Sequence, residues 1–590
     1  MSAASPAMRA ARAVGSWLLR RDVDEGWVLL ALAALTGAAA GSAVILFYGL
    51  VDVVREAAGW AASRSGQARP WLALLLVPLG LWTSRRLLGP ASGGAPGEMV
   101  PDLIRAGVRS DGRLPVSRMV RKLGAAALTL GSGGSLGAEG PVAVAGASVG
   151  SGLSQALRFG PRRTRVLFAC GTAAGISAAF NAPIAGVLFA LEIVLGTFAA
   201  TALGPVVVAS VMGAVVSRWV RGPDPAFLIP REYVFSSAGE LPLYVALGIA
   251  GGLIAAVFVR GFFGVQDALG RLTGDRPGLA ALAGGLAVAG LGFIHPQLLG
   301  DGRHGIELVL ASRLTGLAAL AFGLLKIVSS GLTMGAGGAG GVFTPSLFVG
   351  ASFGSFYGLS AAALFPGLGV TPEAYALAGM AAVIAGATFA PLTAILIIFE
   401  MTDDYGLILP LMLVSVISYA VARRLTSESI YTEALRRSGD RIRHGADRSI
   451  LEKVRVADCY DRDPDVLLED APLRDVLGRL KVSKQTLFPV VDRDLQLVGM
   501  LGYPDVARAI DAGLLDIVIA ADLAQADVET ALPIDSLLDA THRMGQRDID
   551  AIPVVETEGS RRLVGLLDRG AIMEAYRTRL LLQEEGELSR

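Results

Sequence analysis

The chain has 590 residues, with 52 basic and 52 acidic side chains; 53% of its residues are hydrophobic and only 18% are charged. Soluble proteins carry about 25% charge, so a wholly soluble body is excluded, and zero net charge gives no footing for a nucleic-acid partner. Two cysteines, Cys170 in an apolar segment and Cys459 in a polar one, exclude a disulfide framework.

Residues 1–25 carry Arg9, Arg12, Arg20 and Arg21 ahead of the first apolar run and show no convincing cleavage site. They read as a cytosolic basic segment. Between residues 26 and 435 long apolar stretches recur, among them Trp27–Leu50, Trp71–Trp82, Leu241–Phe263 and Leu407–Ala422. Several suffice to cross ~30 Å of hydrocarbon. The spacing predicts a polytopic membrane domain, set in a lipid bilayer and followed by a charged, alternating soluble part.

That domain contains an internal repeat. Gly131–Ser151 laid over Gly335–Ser355 matches at ten of 21 positions without a gap, and Gly171–Glu192 over Gly379–Glu400 matches at nine of 22. The order and near-equal spacing of the two matches argue against chance small-residue packing. The halves run over about 26–220 and 240–435. In each, a glycine-rich run precedes a proline, Pro141 or Pro345, which suits the first turn of a helix. Irregular backbone at membrane depth is tolerated where it is buried or lines a watery cavity. A helix N-terminus there offers free N–H groups and a positive dipole end to an anion. The expected cargo is a small anion, because the apolar region has few carboxylates to hold a cation.

The copies differ where Glu139 stands opposite Phe343. A carboxylate within apolar sequence is a functional-site hypothesis. At a helix N-terminus Glu139 is itself an anion that competes for the cargo's site until protonated, which makes it a candidate gate and proton carrier; a plain helix cap is the alternative.

Gly137-Ala-Glu-Gly-Pro141 resembles the gating-glutamate motif of the CLC chloride channel and transporter family, and Gly340-Gly-Val-Phe-Thr-Pro345 resembles its second anion motif. Phe180-Asn-Ala-Pro183 and Glu400-Met-Thr-Asp403 fit as well. The resemblance implies an all-α polytopic membrane domain with an inverted internal repeat and broken helices. It further implies a homodimer with one pore per subunit. Chloride would be held by the N–H groups of Val342 and Phe343 and reached by Tyr431 in Ser429-Ile-Tyr-Thr-Glu433.

Three departures follow from it. Ala138 stands where the family usually has an arginine. At the inner anion site the best register puts Glu98, in Gly97-Glu-Met-Val-Pro-Asp102, in the place of a serine; an alternative register uses Ser92. Finally, Glu192-Ile193 replaces a pair of glutamates, and Ile193 cannot take the second one's proton. This favours a voltage-gated-type chloride channel over a proton-coupled antiporter, although water or Glu98 would offer a relay. Glu192 and Glu400, at equivalent repeat positions, read as structural caps.

Beyond residue 454 a second repeat appears. Phe488-Pro-Val-Val-Asp492 with Leu497-Val-Gly-Met-Leu501 matches Ile552-Pro-Val-Val-Glu556 with Leu563-Val-Gly-Leu-Leu567. Helical periodicity over Leu473–Leu480 and Ser536–Met544 completes an α/β pattern. It resembles a tandem pair of CBS domains over 454–577, with 578–590 as a charged tail and the pair on the cytoplasmic side of a plasma (inner) membrane. Such pairs bind adenine nucleotides in some proteins. Asp505 would be the ribose ligand here, but Ala571 takes its place in the second copy and Gly502 replaces a usual Ser/Thr. A dimer-stabilising regulatory module is the simpler expectation. His295 and His304, read as loop residues, and His444 and His542 have no metal-ligand spacing. No nucleophile–base pair or phosphate loop points to an enzyme. A nucleotide sensor and a metal-ion transporter are the remaining competitors, and the second would need clustered intramembrane acids.

Overall fold

Proline at helix starts and glycine at helix ends cut the apolar sequence into many separate helices. The structure, a computed structural model, describes residues 25–64, 69–89, 97–198, 200–222, 238–274, 276–402, 404–440, 451, 454–483, 485–511, 514, 517–547, 549–557, 559–576 and 578. The expectations for the basic N-terminus, for Ser92 and for the charged tail after residue 578 fall outside them. Two compact units, 1–442 and 443–590, make up the chain.

In the first unit one half comprises α1 (Glu25–Arg64), α2 (Arg69–Leu88), α3 (Val100–Arg109), α4 (Val116–Gly131), α5 (Glu139–Leu157), α6 (Pro161–Phe180), α7 (Pro183–Leu188, running on as a π-helical turn, Phe189–Leu195) and α8 (Ala200–Arg221). The other comprises α9 (Leu241–Thr273), α10 (Pro277–Ile294), α11 (Arg303–Leu310), α12 (Gly316–Gly335), α13 (Phe343–Leu364), α14 (Pro372–Thr388), α15 (Pro391–Thr402), α16 (Ile408–Leu425) and α17 (Ile430–Arg437). Among the described residues, seven helical stretches are long and apolar enough to cross a membrane. Helices α3, α7, α11, α15 and α17 are too short for that.

The repeat read from sequence is a structural one. Helix α5 lies against α6 as α13 lies against α14, and the same glycines permit both contacts. A Cβ on Gly146 would stand 2.0 Å from the Gly171 carbonyl oxygen, and one on Gly350 would stand 2.5 Å from that of Gly379. These are backbone-to-backbone contacts that only a small residue allows. Helices α6 and α14 end alike, with Asn181 and Phe389 in the left-handed region at φ +57° and +60°.

The second unit is α/β and also built from two copies. Strands β1 (Leu467–Leu468), β2 (Leu487–Val491) and β3 (Leu497–Gly502) form one sheet, with α18 (Leu473–Val482) before β2 and α19 (Tyr503–Asp511) and α20 (Ala520–Leu523) after β3. Helix α21 (Leu537–Arg547) precedes the antiparallel hairpin β4 (Ala551–Val555) and β5 (Leu563–Asp568). The hairpins share a register shift, at Val490/Val491 and at Val554/Val555. They join reciprocally: the Leu497 N–H donates to the Arg561 carbonyl at 2.6 Å and the Leu563 N–H to that of Leu495 at 2.9 Å.

Candidate anion site

The two glycine-rich loops, which cannot continue α4 and α12 as helix, clasp each other about a local twofold axis. The Gly137 N–H donates to the Gly341 carbonyl at 2.8 Å, and the Gly341 N–H returns the bond to Gly137 at 2.7 Å. The Thr129 hydroxyl accepts from the Ala339 N–H at 3.0 Å, and the Thr333 hydroxyl accepts from the Ser135 N–H at 3.1 Å. Each bond has its counterpart in the other half. Together they satisfy buried backbone groups without helix or sheet and hold the first turns of α5 and α13 close together.

Glu139, the first residue of α5, is only 2% exposed. Its Oε1 accepts from the Thr344 N–H at 3.1 Å and from the Thr344 hydroxyl. Its Oε2 is buried with no partner. The carboxylate therefore sits at the N-terminus of α13, where the helix dipole favours negative charge. No described group accepts from the N–H groups of Val342 and Phe343, the two residues before Thr344. Glycine makes the room: a Cβ on Gly137 would lie 2.0 Å, and one on Gly341 2.6 Å, from Oε2. The Phe343 ring is held by Phe180 and Phe189, with centroids 6.1 and 6.5 Å away.

Glu98 and Tyr431 also meet here. Gly97 accepts from the Gly340 N–H at 3.2 Å, which ties the segment before α3 to the loop before α13. Glu98 lines a cavity with Tyr431, Val342, Gly341, Met334 and Phe262. Glu98, the residue of the first register, is thus on the cavity wall, while Ser92 of the alternative lies outside the described residues. Tyr431 is set by a capping box at the start of α17, in which Ser429 and Thr432 bond each other's backbone.

Thr344 was not singled out by sequence, although the same repeat alignment sets it against Gly140. Arg303, at the start of α11, was missed as well. Its Nε is buried without a partner, and with Asp301 it acts electrostatically on Glu139. Lys326, fully buried, is fixed by the carbonyls of Gln297, Leu299 and Gly300 at 2.8–3.4 Å and braces the loop before Arg303.

Ile193 is buried in the π-helical turn. Glu192 accepts from the N–H groups of Leu392 and Thr393, at 3.2 and 2.7 Å, and so caps α15. Glu400 accepts from those of Ile184 and Ala185, at 2.9 and 2.7 Å, and caps α7. The two carboxylates exchange caps between the halves and stand away from the cavity.

In the second unit Asp505 is engaged within its own copy. It accepts from the Gly502 N–H at 3.0 Å, from Arg508 at 2.5 Å and from Gln525 at 3.2 Å. Burial, followed by the charge of Asp458, pushes the Cys459 thiol up to about 11, so it is an unreactive thiol at neutral pH. His304, read as a loop residue, lies in the first turn of α11 and bonds Glu307 at 3.0 Å, because Gly302 starts that helix earlier than the apolar pattern indicates. Among the described residues no group of three His, Cys, Asp or Glu is placed to hold a metal ion.

A family model described as voltage gated chloride channel matches residues 79–423, and one described as CBS domain matches 456–512 and 520–578. A putative chloride channel protein ClcB-like of Ralstonia nicotianae is 34% identical over 424 residues, covering 70% of this chain and 97% of its own. An H(+)/Cl(-) exchange transporter ClcA of Vibrio campbellii is 31% identical, covering 72% and 93%. Among solved structures, a slow cyanobacterial Cl-/H+ antiporter superposes with a TM-score of 0.64 at 25% identity, covering 71% of this chain and 99% of its own. A eukaryotic CLC transporter superposes with the same TM-score at 20% identity over 93% of this chain, which bears on fold alone. On these matches the chain belongs to the voltage-gated chloride channel (CLC) family and carries a C-terminal pair of CBS domains.

Proposed function

We propose that the protein moves chloride across a bilayer along a path that passes the N-terminus of α13 and is closed by Glu139. The observation that carries this reading is the Glu139 carboxylate on the Thr344 N–H, beside the unpartnered N–H groups of Val342 and Phe343. A carboxylate held where a helix end favours an anion blocks a chloride ion from the same donors. Protonation removes the charge that holds it there. Chloride then takes its place, with Val342 and Phe343 as donors and Tyr431 at the cavity.

Passive, voltage-gated-type conduction is favoured by Ile193, which is buried, apolar and unable to carry a proton. Proton-coupled exchange is the second reading, favoured by Glu98 on the cavity wall. The protein is assigned no enzymatic reaction. It is read as a multi-pass protein of a plasma (inner) membrane with its CBS pair in the cytoplasm. The pair is read as a regulatory, dimer-stabilising module; adenine nucleotide at Asp505 would require Arg508 and Gln525 to release it. The whole is proposed as a homodimer.

Reconstitution in liposomes with chloride and proton flux recorded together tests the reading. Chloride flux that rises as pH falls is expected, and Glu139→Gln should carry chloride with that dependence lost. Absence of chloride flux from the unaltered protein defeats the proposal. Uphill proton movement driven by a chloride gradient defeats the passive form and selects exchange.

A further inference from the structure

Two carboxylates border the path, and only one of them has donors. Glu139 is held by Thr344. Glu98 lines the same cavity as Tyr431 and Val342, yet no described group forms an ion pair or hydrogen bond with its carboxylate. The charged groups around it come from three helices, and each cation is already engaged. Lys122 of α4 pairs with Asp102 of α3 at 2.5 Å and donates to the Glu98 backbone carbonyl at 3.0 Å, not to its side chain. Arg437 of α17 is shared by Glu433 at 2.8 Å and Asp267 at 2.6 Å. Tyr431 is the remaining titratable neighbour in the cavity, and Glu139 lies beyond Gly341.

An ionised Glu98 and a chloride ion are two like charges in one small apolar cavity with no cation between them. Like charges at one site resist being present together, and one proton resolves the conflict. Once protonated, Glu98 also changes from an acceptor into an O–H donor. It then offers an anion what the serine hydroxyl of the resemblance would offer.

We propose that an ionised Glu98 takes up one proton from water when chloride enters the cavity beside Tyr431, and that its O–H then donates to the ion. When chloride leaves, the proton returns to water. The inner end of the path thereby couples chloride occupancy to protonation independently of Glu139. This rests on the chloride path proposed above.

Calorimetric titration of chloride into the purified protein tests it, run in two buffers of different ionisation enthalpy and in the Glu139→Gln background, which silences the other carboxylate. At pH values where free Glu98 is ionised, close to one proton should be taken up per chloride. The affinity should then tighten about tenfold for each unit by which the pH falls. In Glu139→Gln/Glu98→Gln the uptake should vanish and the affinity should no longer follow pH. Glu139→Gln/Glu98→Ser, which supplies a hydroxyl without a titrating group, should behave the same way and guards against a fold defect peculiar to glutamine. Chloride binding without proton uptake, or uptake that survives removal of Glu98, overturns the proposal while leaving the chloride path intact. No chloride binding together with no chloride flux defeats both.

Discussion

Thr344 gives Glu139 two donors, a backbone N–H and a hydroxyl, and only the hydroxyl can be removed by substitution. Hydrogen bonds to charged groups contribute about 1.5–3 kcal/mol, and about 1.4 kcal/mol is a factor of ten in an equilibrium. Thr344→Val keeps the volume and the N–H. It should let Glu139 leave the α13 terminus roughly ten times more readily. The sign follows from which form is bonded. The hydroxyl stabilises the ionised, seated carboxylate, so without it protonation wins at higher pH. The pH of half-maximal chloride flux should rise by about one unit, read from flux against pH in liposomes. A fall, or no change, would show that the hydroxyl does not hold the gate. Glu139 was legible in sequence because a charge in apolar sequence is conspicuous. Thr344 was not, since a threonine in a small-residue helix has many bland roles. Arg303 was hidden for another reason: it lies far along the chain from Glu139, and no local pattern links the two.

At the level of elements, the repeat is tied together by what the two halves exchange. Helices α7 and α15 each start at a proline and each take a carboxylate cap from the other half. Equivalent positions made the pair Glu192 and Glu400 visible in sequence, and a capping role could be read there. Which helix each caps could not, because the partners lie some 200 residues away and only the twofold brings them together. Glu192→Ala would leave the N–H groups of Leu392 and Thr393 and the Thr393 hydroxyl without their acceptor. Loss of a helix cap costs about 0.5–2 kcal/mol, and ionised acceptors lie at the upper end. Glu400→Ala should cost a similar amount, because it strips the equivalent pair from α7. Thermal unfolding of the two variants in detergent should give two matched decreases in the apparent midpoint. A decrease in only one would mean that the halves are not held by equivalent exchanges. The Gly350–Gly379 contact is less forgiving. Gly350→Val puts side-chain carbons where the Gly379 carbonyl oxygen stands, and it should destabilise the protein by more than either cap.

For the whole molecule, composition already divided the chain into membrane and soluble parts, and the two compact units divide along the chain at residue 442, inside the stretch where hydropathy falls. What composition does not reveal is which apolar faces meet lipid and which meet protein. Helices α7 and α15 answer part of that. At 12 residues α15 spans about 18 Å, well short of ~30 Å of hydrocarbon. Its capped N-terminus is solvent-accessible in the single chain, and so is that of α7. Ile184 and Leu392, equivalent in the two halves, are 50% and 46% exposed beside those ends. Irregular, polar helix ends are not tolerated against lipid; they need protein or water beside them. On α8 and α16, next to them, Leu203, Val207, Met412 and Val416 extend the apolar face. A second copy related by a twofold axis would cover all of this with one self-complementary surface. Ile184→Trp and Leu392→Trp put bulk on that surface while leaving both caps and the Glu139 site in place. On the homodimer proposed above, each should convert the detergent-solubilised protein from dimer to monomer, read as a halving of the protein mass in light scattering. A tryptophan at Leu253 of α9, which is exposed on another helix, should leave the mass unchanged. If the Ile184 and Leu392 variants remain dimeric, these two short helices do not form the subunit contact. Chloride flux retained by monomers would place the whole path within one copy, the copy in which α5 is clasped to α13.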